Sequence, residues 1–229
     1  MVSLWSALTL TIAAGVVVLR WWLKRYDALG RSRPFPTIAV PLLLALAAAC
    51  LTPWILRVRL ENRLAEAASH VTGAPVSVHC QSLGEAFVDV GSELGYVKFG
   101  ADGTPEKATF IKRNQCRDLA AYLRSDKVAP STKEVVALHT LTHEAIHMSG
   151  IMNEAKTECL AVQHDAEMAR LLGASPEAAA ELAGRYWRAI YPRMPADYRS
   201  DQCGPDLALD AGRPDSPWAL SGEVVGTSP

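Results

Sequence analysis

Three histidines recur at intervals of four residues in one stretch of the chain, and a glutamate directly follows the second of them. The run His143-Glu144-Ala145-Ile146-His147 has the HExxH spacing, in which two imidazoles lie on one face of a helix and can reach one metal ion. Glu144 points about 100° further round the helix, where it can accept a proton from water without being a ligand. HExxH also occurs in helices that bind no metal, so the residues that follow decide the prediction.

Two glutamates follow the motif after a glycine that is expected to end the helix. A catalytic zinc has three protein ligands and one open position, and Glu154 supplies a carboxylate in the first turn of the next helix. Glu158 lies one turn later on the same face, where it can hydrogen-bond a liganding imidazole and fix its tautomer. We therefore predict one Zn²⁺ per chain, held by His143, His147 and Glu154. Glu158 is the alternative third ligand, and Asp165 is a more remote one.

This set of residues resembles the gluzincins, the HExxH-plus-Glu metallopeptidases of the thermolysin type. The resemblance implies that His143 and His147 bind zinc, that Glu144 is the catalytic base and that Glu154 is the third ligand. Glu158 takes the place of the acidic residue that supports a liganding histidine, as Glu rather than Asp. The resemblance covers the stretch from residue 143 to residue 158 of a 229-residue chain.

The connection between the motif and the third ligand departs from that family. Only the residues 148–153 separate His147 from Glu154, whereas thermolysin-like proteins use a far longer connection. The spacing of Gly150 and Asn153 is similar instead to that of metzincins, in which a glycine turn brings a third histidine to the metal. Asn153 holds that position here, but a neutral amide is a weaker zinc ligand than a carboxylate. Glu154, reached by a tight turn at Gly150, is therefore the preferred ligand.

The metal-binding residues are predicted to lie on two consecutive helices. Ser131 followed by Glu134 is a capping-box pattern, which begins the helix that carries HExxH. An asparagine N-cap begins a helix over 154–172, and a further helix is predicted over 176–190. The first helix has an apolar stripe at helical spacing that is expected to face the core: Val135, Leu138, Leu141, Ala145 and Met148.

Three β-like stretches precede these helices, at 76–80, 96–99 and 109–112, separated by glycine-rich turns. A short antiparallel sheet is the simplest arrangement, followed by a helix over 114–125. The fold class is therefore predicted to be α+β, a small zincin-like domain with a short antiparallel sheet and several helices. The stretch at 109–112 is an edge-strand candidate for pairing with a peptide, although an ordinary sheet edge fits the sequence equally well.

Other polar side chains are weaker candidates for a role in catalysis. Four of them could donate a hydrogen bond to an oxyanion: Tyr186, Tyr191, Tyr198 and Arg199. The sequence does not rank these four, and packing roles fit them as well. His139, one turn before the motif, could contact substrate or support a liganding residue, but a histidine that merely lines the helix face is the favoured interpretation.

Two N-terminal segments, residues 4–19 and 37–56, are long, apolar and free of internal charge. A helix of about 20 such residues can cross a bilayer. The alternative for the first segment is a cleaved signal peptide, but the basic residues expected at its start are missing. The loop between the segments is basic and is predicted to be cytoplasmic, although arginines soon after the second segment oppose this. The catalytic domain is therefore predicted to be extracytoplasmic at the cell membrane, with the lipid bilayer as a partner.

Four cysteines lie after the apolar segments, and the fifth, Cys50, lies inside the second one. An even number in a domain outside the cytosol predicts two disulfides, and four cysteines allow three connectivities. The helices predicted over 154–172 and 176–190 should lie antiparallel, which favours a Cys159–Cys203 bond. That choice leaves Cys80 with Cys116.

Length and charge restrict the function further. A net charge of −1 gives no indication of a nucleic acid partner, so none is expected. The chain is divided into a membrane anchor over 1–56, a juxtamembrane helix over 57–74, a metallopeptidase domain over 75–210 and a disordered tail over 211–229. The predicted function is a membrane-anchored zinc endopeptidase acting on peptides or proteins. The alternatives are a zinc-binding, non-proteolytic assembly or binding factor and an anchored interaction protein without metal.

Overall fold

A computed structural model describes residues 2–27, 29–88, 91 and 93–220, and it divides the chain into two compact units. The first unit, Met1–Arg59, contains helix α1 (Val2–Leu23) and most of the apolar part of helix α2 (Ala39–Thr72). Both helices are long and apolar enough to span a membrane. Helix α2 is continuous, so the predicted second span and the predicted juxtamembrane helix form one element.

The second unit, Leu60–Pro229, has a three-stranded sheet in the order β1-β3-β2. Its strands are β1 (Ser77–Cys80), β2 (Gly95–Phe99) and β3 (Pro105–Ile111). Strands β2 and β3 are antiparallel, but β1 pairs with β3 in parallel, so the prediction of a purely antiparallel sheet is wrong. The physical reason is the connection from β1 to β2, which contains an unpredicted helix, α3 (Leu83–Val88), and is long enough to place β2 one strand position away from β1, so that β3 lies between them.

The sheet order also changes which strand forms the exposed edge. The stretch proposed for pairing with a peptide belongs to β3, which is the central strand and already has neighbours on both sides. Within the described residues, β2 has a strand neighbour on one side only. Strand β2 lies against the helix that carries HExxH, so the open edge borders that motif.

Most helices of the second unit agree with the sequence prediction. Four of them were predicted, namely α4 (Arg113–Arg124), α5 (Thr132–Met148), α6 (Glu154–Leu171) and α7 (Pro176–Arg185), whereas α3 and a short helix α8 (Pro217–Leu220) were not. The capping box at Ser131 and Glu134 is formed, and Asn153 caps α6. The five apolar residues predicted as the inward stripe of α5 are all fully buried. Helix α7 is shorter than predicted. It continues as one turn of π-helix (Tyr186–Ile190), which is followed by two 3₁₀ turns, Tyr191–Arg193 and Ala196–Tyr198.

The C-terminal segment packs on this unit as far as residue 220. Arg213 pairs with Glu167 at 2.8 Å, and Asp215 pairs with Arg170 at 2.7 Å. The ring of Trp218 packs edge-on against Trp187. Disorder is therefore a wrong prediction for residues 211–220, because composition does not reveal ion pairs with α6. The rest of the predicted tail, 221–229, lies outside the described residues.

Both predicted disulfides are formed. Cys80 is bonded to Cys116, which joins β1 to α4, and Cys159 is bonded to Cys203, which joins α6 to the segment after the 3₁₀ turns. Cys50 is a free thiol. The second bond begins at the residue next to Glu158, so it anchors the helix that carries both site glutamates.

Candidate metal centre

Three side-chain atoms converge at the junction of α5 and α6. Nε2 of His143 lies 3.0 Å from Nε2 of His147 and 3.1 Å from Oε2 of Glu154, and Nε2 of His147 lies 3.4 Å from the same oxygen. Zinc–ligand distances of about 2.0–2.1 Å in a tetrahedral site put neighbouring ligand atoms roughly 3.3–3.4 Å apart. The observed separations are therefore close to those of three ligand atoms around one ion. These residues form one of two described groups that could hold a metal ion.

The opposite ring nitrogens fix the orientation of both imidazoles. Nδ1 of His143 lies 2.9 Å from Oε2 of Glu158, and Nδ1 of His147 lies 2.7 Å from the carbonyl oxygen of Ile151. Both partners accept a hydrogen bond from Nδ1, so Nε2 of each ring is directed at Glu154 and, in the neutral ring, has a lone pair free to bind a metal ion. Such support is typical of histidines that bind metal.

The short connection between α5 and α6 brings Glu154 into place. Gly150 has φ = +112°, a conformation that side chains rarely adopt, and it lets the chain turn directly after α5. The Asn153 side chain accepts a hydrogen bond from the backbone N–H of Lys156 at 2.9 Å. Asn153 is thus engaged as the N-cap of α6, and the next residue, Glu154, points to the histidines. Their hydrogen bonds lower the pKa of Glu154 to about 2.

Glu144 is a buried carboxylate beside the two histidines. Only 4% of the residue is exposed, and its Oε2 has no hydrogen-bond partner among the described residues. Burial raises the pKa of Glu144 to about 7, against the opposing effect of His143 and His147. A buried oxygen without a partner costs free energy unless another polar group, such as water, occupies the adjacent space. Glu144 therefore fits the role of a proton acceptor facing the cavity.

Glu158 accepts three hydrogen bonds and is almost completely buried. Its Oε2 lies 2.9 Å from Nδ1 of His143 and 3.0 Å from Nε2 of His139, and the Tyr186 hydroxyl donates to Oε1 at 2.7 Å. Burial alone would raise the pKa of Glu158, but His139 and His143 outweigh it and hold the pKa well below its usual range. A carboxylate with these partners can orient a liganding histidine, and both of its oxygens already accept hydrogen bonds from the protein.

The second described group that could hold a metal ion consists of His139, His143 and Glu158. It shares His143 with the first group but uses the opposite ring nitrogen. Nε2 of His139 and Nδ1 of His143 both lie within hydrogen-bond distance of Oε2 of Glu158, and no more than 7% of any of the three residues is exposed. The first group, in which the Glu154 side chain is 42% exposed, is the better candidate for a catalytic metal.

A cavity of about 490 Å³ opens over these residues. Its walls come from β2, from one face of α5 and from the segment after α7. Its apolar lining includes Leu94, Val136, Ile190, Met194 and Pro195. Among the described residues, no Lys or Arg lines it, whereas Glu93 and the three site glutamates do. The cavity therefore has an acidic floor and partly apolar walls.

The four residues proposed as oxyanion donors have different surroundings. The Tyr186 hydroxyl donates to Glu158, and the Tyr191 hydroxyl contacts Ser200, so both are occupied within the fold. Arg199 is exposed and donates to the Pro192 carbonyl. Tyr198 lines the cavity, and it is the one of the four whose hydroxyl has no hydrogen-bond partner among the described residues. Burial raises the pKa of Tyr198.

Two further features of the site could not be recognised in the sequence. Gly95 lies on β2 against Glu144, and nothing in its local sequence distinguishes it from a turn glycine. His139, expected to line the helix face, is instead bound between two carboxylates. The sequence shows that His139 lies four residues before His143, but it does not show that its partners are Asp165 and Glu158 of α6. Comparisons with protein-family models, with curated proteins and with solved structures found no match for this chain.

Proposed function

We propose that this protein is a membrane-anchored zinc endopeptidase. The observation that carries the proposal is the convergence of His143, His147 and Glu154 beside a buried glutamate with an unpartnered oxygen. The donor set, two neutral imidazoles and one carboxylate, suits zinc and leaves a position open towards the cavity. A zinc ion held there would supply a Lewis acid that polarises a carbonyl and lowers the pKa of water.

The residues around that position provide the proton transfers. The Glu144 carboxylate accepts a proton from the attacking water and returns it to the leaving nitrogen, in the general acid–base role that its burial favours. Tyr198 is placed to donate its hydroxyl proton in a hydrogen bond to the oxyanion. Glu158 and the Ile151 carbonyl keep the two histidines in the tautomer that leaves Nε2 free.

An extended peptide is the substrate class that the cavity suits best. The open edge of β2 offers backbone N–H and C=O groups along the cavity, and a peptide can pair with such an edge. The surrounding carboxylates repel acidic side chains, and the apolar walls favour hydrophobic ones. Strand β2 is therefore the proposed peptide-pairing strand, in place of β3, which was the candidate from the sequence.

The membrane part of the proposal rests on different observations. The two apolar helices are of spanning length, and the loop between them is rich in Lys and Arg, which are retained in the cytoplasm. Two disulfides in the second unit favour an oxidising compartment. Together they support a domain that faces outside the cytoplasm.

Hydrolysis by a variant without the base tests the proposal. Full-length protein in detergent is incubated with a mixture of unstructured peptides, and cleavage is followed by mass spectrometry. We expect the Glu144→Gln variant to retain zinc and to lose cleavage, because only the proton acceptor is removed. The Glu106→Gln variant, which changes an exposed carboxylate outside the cavity lining, should cleave normally. Cleavage by Glu144→Gln would refute the base, and a zinc-loaded wild type without activity would favour the non-proteolytic alternative.

A further inference from the structure

His139 lies between two carboxylates in the interior, one helical turn before the motif. It is 3% exposed, with Nδ1 at 2.8 Å from Oδ2 of Asp165 and Nε2 at 3.0 Å from Oε2 of Glu158. Its ring stacks on Tyr186, with centroids 3.6 Å apart and planes 14° apart. All of the ring's polar atoms and one of its faces are therefore engaged.

The arrangement fixes which way His139 acts on Glu158. Because Nδ1 of His139 is hydrogen-bonded to Asp165, its Nε2 is directed at the Glu158 carboxylate. Oε2 of Glu158 accepts hydrogen bonds from both His139 and His143, and Oε1 accepts one from the Tyr186 hydroxyl. Three donors leave the carboxylate one orientation, and in that orientation it accepts from Nδ1 of His143.

We propose that His139 is a positioning residue of the metal centre, which acts through Glu158 to hold the His143 imidazole with Nε2 towards His147 and Glu154. This inference rests on the proposed function, since it assumes that His143 binds the ion. A side chain that only filled the space would not need a nitrogen on each side of its ring to contact the two carboxylates. An imidazole spans two carboxylates in a line, whereas a Gln amide has its donors on one end only.

Metal affinity is the property that this role predicts. The full-length wild type and the variants His139→Gln and His139→Asn are titrated with zinc against a chromophoric chelator. We expect the dissociation constant to rise by about 10–100-fold in the folded variants, as for other residues that orient a liganding histidine. His164→Gln is the matched control, because this histidine of α6 contacts the Leu160 carbonyl and does not line the cavity.

Two additional measurements separate positioning from packing. Cobalt(II) in place of zinc should give a visible absorption spectrum that differs between His139→Gln and the wild type, since the His143 ligand is reoriented. In a Glu158→Gln background, adding His139→Gln should cause no further loss of affinity, because the effect passes through Glu158. Independent losses that add in full would contradict the proposal.

The outcomes distinguish this inference from the proposed function. Zinc-free wild type would reject the metal site itself. Zinc-loaded wild type with His139 variants of equal affinity and identical cobalt spectrum would reject only the role of His139. Failure of both amide variants to fold, with His164→Gln folding normally, would make His139 a residue of the core and would also overturn the proposal.

Discussion

Gly95 lies so close to Glu144 that a Cβ atom added at this glycine would be 3.1 Å from both Cγ and Oε1 of the glutamate. The same atom would lie 3.0 Å from Cδ1 of Ile111. Strand β2 thus approaches α5 at the residue proposed as the base. The Glu144 side chain can take this orientation because Gly95 has no side chain.

The first prediction follows from this contact. We expect Gly95→Ala to displace Glu144 by a few tenths of an ångström and to reduce kcat by about 10-fold or more, since small misplacements of reacting groups are costly. Zinc content should stay the same, because the three ligands do not touch Gly95. Gly84→Ala is the control, since a Cβ there meets nothing within 4 Å. Unchanged kcat in Gly95→Ala would argue against Glu144 as the base.

The second prediction separates the ligand from its support. Glu154→Ala should abolish tight zinc binding, because it removes one of three ligands. Glu158→Gln should weaken binding by about 10–100-fold, because the amide still accepts a hydrogen bond from His143 but carries no charge. Both dissociation constants are obtained by chelator competition. An empty site in Glu158→Gln together with a filled site in Glu154→Ala would invert the assignment.

The third prediction concerns the disulfide beside the site. Replacing Cys159 and Cys203 by alanine should weaken zinc binding as well as the fold, since the bond holds α6 next to Glu158. Replacing Cys80 and Cys116 should lower stability without a comparable loss of zinc affinity. Loops of these lengths correspond to about 4 kcal/mol each on the chain-entropy estimate. Thermal melts and zinc titration of both double variants test this, and equal zinc affinities in the two would contradict it.

Local patterns in the sequence were sufficient to predict most helices and the proximity of His143, His147 and Glu154. HExxH, the capping box at Ser131 and the N-cap Asn153 each depend on residues within one or two helical turns, and each has the expected geometry. The Cys159–Cys203 bond followed from helix order, and Cys80–Cys116 was the pair that remained. The remaining features depend on pairing between distant segments. The parallel β1–β3 pairing and the Gly95–Glu144 contact join residues that no local pattern connects.

The same limit explains what was missed around His139 and at the C-terminus. The role of His139 depends on Asp165 and Glu158, which lie on another helix. Arg213 and Asp215 form ion pairs with charged side chains of α6. The polar composition of this segment predicted disorder, although the segment is packed. Burial and charge pairing are properties of the folded chain, and sequence spacing does not reveal them.

The fourth prediction concerns topology. We expect a reporter joined to the C-terminal end of the chain to be active only outside the cytoplasm, because the basic loop between the two apolar helices is retained inside. Replacing Arg31 and Arg33 by glutamate should weaken this preference. Exclusive activity of a cytoplasmic reporter at the same position would contradict the proposed orientation.

Zinc content is the most direct test of the central claim. Full-length protein, purified in detergent without chelators, is measured by elemental analysis before and after treatment with a strong chelator. We expect one zinc per chain, lost on chelation, and we expect His143→Ala to purify without zinc. Folded, unchelated wild-type protein that contains no zinc would contradict it.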